Sequence, residues 1–371
     1  MKYIDEFRNR KFCEALSKKI REEVYGEKRM TLMEVCGTHT MAIARYGLKN
    51  LLPENIRLLS GPGCPVCVTP NPDIDKAIGF CRLKNIIITT FGDMMRVPGS
   101  SSSLQREKAD GADVRIVYSP NDAIKIAIAN PEKRVIFLGV GFETTAPTVA
   151  ASIKDAREEG LKNYFVISMH KVMPPALKAL VEGEEVKVDG FLLPGHVTTI
   201  TGTEVYNFIP RDYGIACVVA GFEPVDILQA ALMLVRQIKN KKPLVENQYT
   251  RTVTKEGNPY AKKLLNDIFK QTDAEWRGIG IIPKSGLCIR EEFADFDAEK
   301  TFELKIEESK EHPDCICGEI LKGVKEPIDC PLFDTICTPE NPVGACMVSS
   351  EGTCSAYYKY RSYDIDEDNR G

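Results

Sequence analysis

The sequence is short of the features that would place it in a membrane or outside the cell. No stretch approaches the ~18 uninterrupted apolar residues that a bilayer-spanning helix needs. Residues 1–10 carry charges where an export leader needs an apolar run. Neither sign of charge dominates: 49 Lys and Arg against 53 Asp and Glu leave a net charge of −4. A pI near 5.8 points away from a polyanion such as nucleic acid. There are only four histidines and one tryptophan, Trp276. The expectation is a cytoplasmic protein with no membrane and no nucleic-acid partner. What is abundant is cysteine. Thirteen in a chain without an export signal argue against a disulfide framework and for metal or redox chemistry in a reducing compartment. With 371 residues, 43% of them hydrophobic, two or three domains are expected.

The chain is organised around residues 56–70. Ile56 to Leu59 read as the end of a buried strand, and Gly61-Pro62-Gly63 then force a sharp turn. Cys64 and Cys67 follow as a C-x-x-C stiffened by Pro65, a spacing that suits a disulfide or one metal. A stiff loop is expected to keep both sulfurs at the surface. A structural zinc knuckle needs a second pair 12–20 residues on, and only Cys81 lies nearby, which favours redox or transient metal work.

Along the rest of the chain, short apolar runs alternate with helical patterns. Strands are expected over 31–35, 86–90, 114–118, 135–140, 164–169, 191–193 and 215–220. This rhythm points to parallel sheets covered by helices. Seven residues fall just past predicted strand ends: Cys36, Cys64, Cys67, Glu143, His170, His196 and Glu223. Sites in open parallel sheets form beyond those ends, so two facing sheets would bring the seven to one cleft. Singly, each has a plainer reading; a Glu after Gly-Phe caps the next helix, and a lone His is more often structural. After Lys242-Pro243 the pattern changes. Residues 245–269 look helical or mixed, and 273–286 form a Gly- and Pro-bearing turn region around Trp276.

Six cysteines then fall between 315 and 354: Cys315, Cys317, Cys330, Cys337, Cys346 and Cys354. Cys315-Ile316-Cys317 is too tight to chelate one zinc ion well. Longer loops between single cysteines, with Pro331 after Cys330, suit four thiolates on a [4Fe–4S] cluster, with structural zinc as the other reading. Cys346 is read as a buried structural thiol.

Assembled, these stretches resemble the hydrogenase maturation factor HypD family along essentially the whole chain. The matching segments are 33–40 (Met-Glu-Val-Cys-Gly-Thr-His-Thr), 61–67 (Gly-Pro-Gly-Cys-Pro-Val-Cys), 91–98 (Phe-Gly-Asp-Met-Met-Arg-Val-Pro), 141–145 (Gly-Phe-Glu-Thr-Thr), 194–197 (Pro-Gly-His-Val), 275–278 (Glu-Trp-Arg-Gly) and 344–352. The resemblance implies a scaffold that builds the Fe(CN)₂CO group of [NiFe]-hydrogenase with a small HypC-type chaperone and a HypE-type cyanide donor. It implies two parallel-sheet α/β domains facing a cleft, and a smaller, mostly helical or irregular iron–sulfur domain. Set on this chain, these are residues 29–150, 151–242, and 1–28 with 243–371. The iron-binding cysteine maps to Cys36, the redox pair to Cys64 and Cys67, and the cluster ligands to Cys317, Cys330, Cys337 and Cys354. His39, Glu143 and His196 complete the expected catalytic set. Family members often carry a second histidine where this chain has Met41, so only a mechanism that needs His39 alone carries over.

Two chemical expectations follow. Cys36 should have a lowered thiol pKa, helped by a protonated His39 and by helix N-terminal amides, so that it meets iron as a thiolate. Cys64 and Cys67 should form a two-electron dithiol/disulfide couple fed by the one-electron cluster. The rival class is an iron–sulfur disulfide reductase acting on thiol substrates, for which a third thiol beside His39 has no use.

Overall fold

The computed structural model describes residues 5–183 and 185–360. Eleven strands form among them: β1 (Met30–Glu34), β2 (Ile56–Ser60), β3 (Ile86–Thr90), β4 (Asp113–Ile116), β5 (Arg134–Gly139), β6 (Tyr164–Ser168), β7 (Gly190–Pro194), β8 (Ala216–Ala220), β9 (Val245–Asn247), β10 (Phe269–Trp276) and β11 (Gly280–Ile289). β3 reads Ile-Ile-Ile-Thr-Thr and β8 Ala-Cys-Val-Val-Ala, and every residue of both is buried. Such runs have no polar face, so they are stable only where helices cover both sides of the sheet. Two parallel sheets result, ordered β2-β1-β7-β8-β9 and β4-β3-β5-β6. The expected α/β class with parallel sheets is found. No helix among the described residues is long and apolar enough to cross a membrane.

Sheet membership does not follow the expected division at residue 150. The chain leaves the five-stranded sheet after β2 and builds the whole four-stranded sheet. It then returns with β7, which pairs with β1 in the register Leu32↔Gly190. β1 and β2 therefore belong with β7–β9, and β6 belongs with β3–β5. A βα rhythm dictates that strands run parallel. It does not dictate which of several equally apolar strands become neighbours.

The N-terminal segment also lies elsewhere than expected. The helix Arg10–Glu23, capped by the Asn9 side chain, buries Cys13 and Ile20 against the helix Pro224–Lys239 on the five-stranded sheet. Glu23 closes that contact by accepting from Arg236 Nε at 3.0 Å. Residues 273–286 are not an irregular turn region but most of the antiparallel hairpin β10–β11. The strand Phe-Lys-Gln-Thr-Asp-Ala-Glu-Trp is mainly exposed between its ends, so no apolar alternation announced it. Trp276 is fully buried, donates from Nε1 to Ser285 Oγ at 2.8 Å, and stacks on Phe142 at 6.0 Å. The tail folds into short helices, Cys317–Leu321, Ala345–Val348 and Thr353–Tyr360. Ala345–Val348 packs on the segment Pro65–Val68, and Thr353–Tyr360 packs on the helix Gly37–Arg45.

Candidate functional site

Each sheet reverses its strand order once. In the five-stranded sheet the reversal lies between β1 and β7, and in the four-stranded sheet between β3 and β5. Crevices open beyond the carboxyl ends of strands at such points. Here the two crevices meet in one cavity of about 320 Å³. Cys36 follows β1, His196 follows β7, Asp93 follows β3 and Phe142 follows β5, and all four line it. Gly63, Pro65 and Val66 form one wall, and the tail adds Ser349 and Glu351.

Cys36 is the N-cap residue of the helix Gly37–Arg45 and is buried. Its backbone N–H donates to Glu34 Oε2 at 2.9 Å, and Thr40 Oγ1 donates to the other oxygen. Burial pushes the Glu34 carboxyl up to about 7. Burial, reinforced by the carboxylates of Glu351 and Glu34, pushes the Cys36 thiol up to about 12. His39 is fully buried, and burial pushes its imidazole down to about 4. Its Nε2 lies 2.9 Å from the Gly221 carbonyl and so bears the proton, while Nδ1 has no partner. The expected lowering of Cys36 by a charged His39 is thus reversed. At neutral pH the protein presents a neutral thiol beside a neutral imidazole, and a metal that binds Cys36 must displace the thiol proton. The cause is depth: removing both groups from water costs more than either gains from the other.

The C-x-x-C loop is laced to Cys36. Gly63 passes so close that a Cβ there would lie 2.2 Å from Cys36 N, and Gly37 N–H donates to Gly63 O at 2.9 Å. Cys64 caps the single turn Pro65–Val68, accepting from Cys67 N at 3.3 Å, and the two sulfurs lie 2.6 Å apart. They are not at the surface, as the stiff loop had suggested; both are buried behind the wall that Pro65 and Val66 present. On its inner side Cys67 reaches Cys346, and Cys346 in turn reaches Cys317 and Cys354. Cys346, read from sequence as a buried structural thiol, is indeed buried, and it is the sulfur that joins the two groups.

Cys315, Cys317, Cys330, Cys337, Cys346 and Cys354 line a second, apolar cavity in the tail. Among the described residues, no three or more His, Cys, Asp or Glu side chains already stand at metal-holding geometry. The donor set nonetheless suits a soft iron–sulfur group: six thiols in apolar surroundings, two more than a cubane needs. One buried polar atom also calls for a hydrogen-bond acceptor nearby. Arg277 Nη2 is buried without a partner, and Arg277 is close enough for its charge to act on Cys315.

The remaining expected residues separate. Glu143 Oε1 accepts from Met173 N at 3.0 Å, Oε2 has no partner, and burial pushes the carboxyl up to about 7. Its neighbours Phe142 and Thr144 line the first cavity while the carboxyl lies behind it. His196 stands on the cavity wall, stacked on Phe222 at 3.8 Å, with His39 on Phe222 at 5.3 Å. His170 is enclosed, with Nδ1 on Ser168 Oγ at 3.0 Å, and takes no part in the cavity. Glu223 is a helix cap paired with Arg8. Of the seven strand-end residues, Cys36 and His196 line the cavity directly, and Cys64, Cys67 and Glu143 lie just behind it.

The profile described as the hydrogenase formation hypA family, HypD, matches residues 11–361. The chain belongs to the HypD family. Hydrogenase maturation factor HypD2 of Bradyrhizobium diazoefficiens is 48% identical over 368 residues, covering 97% of each chain. Hydrogenase maturation factor HypD of Cupriavidus necator is 47% identical over 368 residues, again 97% of each. The Escherichia coli HypD is 44% identical over 372 residues, 99% of this chain and all of its own.

This HypD-family chain also uses two carboxylates that residue-by-residue reading passed over. Glu351 Oε1 accepts from Thr38 Oγ1 at 2.6 Å, and Asp93 Oδ2 accepts from Ser349 Oγ at 3.0 Å. Both face the Cys36 cavity. Their only sequence signal was membership of the matching segments 91–98 and 344–352.

Proposed function

We propose that this chain acts in hydrogenase maturation as the scaffold on which the Fe(CN)₂CO group is assembled, with Cys36 holding the iron. The observation that carries the reading is the position of Cys36. It is a single thiol on a walled cavity where both sheets converge, tied by backbone contact to a buried dithiol. At ~30 Å³ per water molecule the cavity has room for about ten. That suits one iron with diatomic ligands and a side chain from a partner. The partners are a HypC-type chaperone, which supplies a second thiolate, and a HypE-type protein, which supplies cyanide. Thiolate ligation favours soft, low-spin iron, and the enclosing walls limit loss of the diatomics. His196 stands where it can meet a ligand or a partner, and buried Glu143 holds a proton behind the same wall.

A [4Fe–4S] cluster held by Cys317, Cys330, Cys337 and Cys354 would supply electrons one at a time. Cys64 and Cys67 cycle between disulfide and dithiol: two electrons and two protons enter, one S–S bond breaks, and two thiols form. Cys346 gives a continuous run of sulfur between the pair and the tail. A disulfide reductase acting on external thiol substrates is less well supported, because Cys67 is fully buried. The test is Cys36→Ala in the anaerobically purified complex with the small chaperone. Cyanide infrared bands should be lost, and bands of undiminished strength would defeat the assignment.

A further inference from the structure

Arg277 has no part in the reading above, yet its setting is unusual for an arginine. It is 4% exposed, one residue past the end of β10. Its backbone N–H donates to Val68 O at 2.9 Å and its Nε to Thr69 O at 3.0 Å. It therefore ties off the turn that carries Cys67. Nη1 donates to Glu311 Oε1 at 2.8 Å, and Nη2 is buried with no partner. A buried guanidinium N–H left unpaired is costly, so an acceptor is expected there. The following residue brings the tail close. A Cβ on Gly278 would sit 2.0 Å from Gly318 Cα, so the two backbones touch at the residues next to Arg277 and Cys317.

We propose that Arg277 is the fixed cation of the tail redox centre: Nη2 donates to the sulfur-bound anion that the tail cysteines hold, stabilising its reduced form, while the other donors clamp the Cys64–Cys67 loop to the same frame. The inference rests on the cluster reading given above. Adding an electron makes the held group more negative. A buried cation paired in charge with the half-exposed Glu311 favours that state. Arg277 acts through charge and position, not by touching the iron cargo.

The test is a mediated redox titration of the anaerobically reconstituted full-length protein, following the cluster's visible absorbance and paramagnetic signal. Arg277→Gln should lower the reduced-to-oxidised ratio at fixed potential about tenfold, which for one electron is about 59 mV. Arg277→Lys keeps the charge without the planar fork and should fall between. Glu311→Gln removes the exposed counter-charge and should move the ratio the other way. A second readout needs no cluster. In iron-free protein, the pH profile for alkylation of the tail thiols should move upward in Arg277→Gln. A merely structural arginine would change cluster content but not the potential of what is bound, and would leave Glu311→Gln at the wild-type value. That outcome, with unmoved alkylation profiles, overturns the proposal. Should Arg277→Gln fail to fold, Glu311→Gln decides the matter. Wild-type protein that takes up no iron and sulfide would instead remove the cluster reading, and the alkylation profiles would then decide the role of Arg277 alone.

Discussion

A methyl group added at Gly63 measures how tightly the Cys36 loop and the Cys64–Cys67 loop are held together. The new Cβ would fall 2.2 Å from Cys36 N, 2.4 Å from Cys36 Cα and 2.5 Å from Val35 C. Non-bonded carbon contacts settle near ~3.5 Å, so the loops must part by about 1 Å. All three atoms are backbone, and Cys36 N is itself held by Glu34, so no side-chain rotation relieves the clash. Parting the loops also strains the Gly37 N–H to Gly63 O bond. Overpacking costs ~1–3 kcal/mol and a lost hydrogen bond ~1 kcal/mol, so Gly63→Ala should destabilise by about 2–4 kcal/mol. Urea denaturation should show a lower midpoint with an unchanged slope.

Gly92 supplies the control. It lines the same cavity, and the one atom near its added Cβ is Ile116 Cγ2 at 3.9 Å. Gly92→Ala should stay within about 0.5 kcal/mol of wild type. A misplacement of ~1 Å at a reacting centre costs on the order of a hundredfold. Gly63→Ala should therefore also lose iron–cyanide retention out of proportion to its stability. A Gly63→Ala protein with wild-type midpoint and full cyanide bands would show that the loops are independent, and the proposed coupling of iron site and dithiol would fall.

Burial holds Glu143 protonated up to about pH 7 against an ordinary value of 4.5. As pH rises through that window the unfolded chain loses its proton first, so stability is greatest below 4.5 and declines toward 7, by about 3 kcal/mol in all. Glu143→Gln keeps the acceptor for Met173 and should flatten that share of the decline between pH 5 and 8, with Glu34 left to supply the rest; equal slopes in the two proteins would refute it. Thiol counting on the oxidised protein before and after anaerobic reduction should show two additional thiols in wild type and none in Cys64→Ser. An unchanged gain in the variant would remove the redox role. Iron and sulfide analysis should show loss of the cluster in Cys317→Ser but not in Cys315→Ser; the reverse result would move the fourth ligand to Cys315.

Strand positions were legible in the sequence because buried parallel strands are short apolar runs with sharp ends. β3 was expected at 86–90, where it lies. β1 and β7 were each within a residue or so. Strand ends in turn made Cys36 and His196 legible, since a chemically useful side chain just beyond a parallel strand has few other places to face. Depth was not legible. The same residues that mark Cys64 and Cys67 as a stiff turn also occur in surface turns. The two sulfurs are buried by the core of the five-stranded sheet and by the tail helix Ala345–Val348 packed over Pro65–Val68. His39 illustrates the cost of that gap: an imidazole three residues from a thiol reads as an activator on paper, and burial makes it a neutral donor to the Gly221 carbonyl. The contact of Cys346 with Cys67 was not legible because the two lie far apart in the chain.

The discontinuous path of the chain has a functional consequence. Because β1 and β2 precede the four-stranded sheet and β7–β9 follow it, the Cys36 loop and the His196 loop lie on one sheet. Asp93 and Phe142 face them from the other. A cavity with walls from two sheets is only as closed as the contact between them. The tail makes that contact from the cavity side: Glu351 accepts from Thr38 after β1, and Ser349 donates to Asp93 after β3. These two bonds lie within a few residues of Cys346, whose sulfur reaches Cys67. One short segment thus fastens both sheets across the cavity and carries the sulfur that meets the dithiol. Loosening it by Ser349→Ala with Glu351→Gln should open the cavity and withdraw Cys346 from Cys67 together. Alkylation of Cys36 and of Cys67 should then rise in step, whereas a rise at Cys36 alone would mean that closure and the sulfur contact are separate properties of the tail.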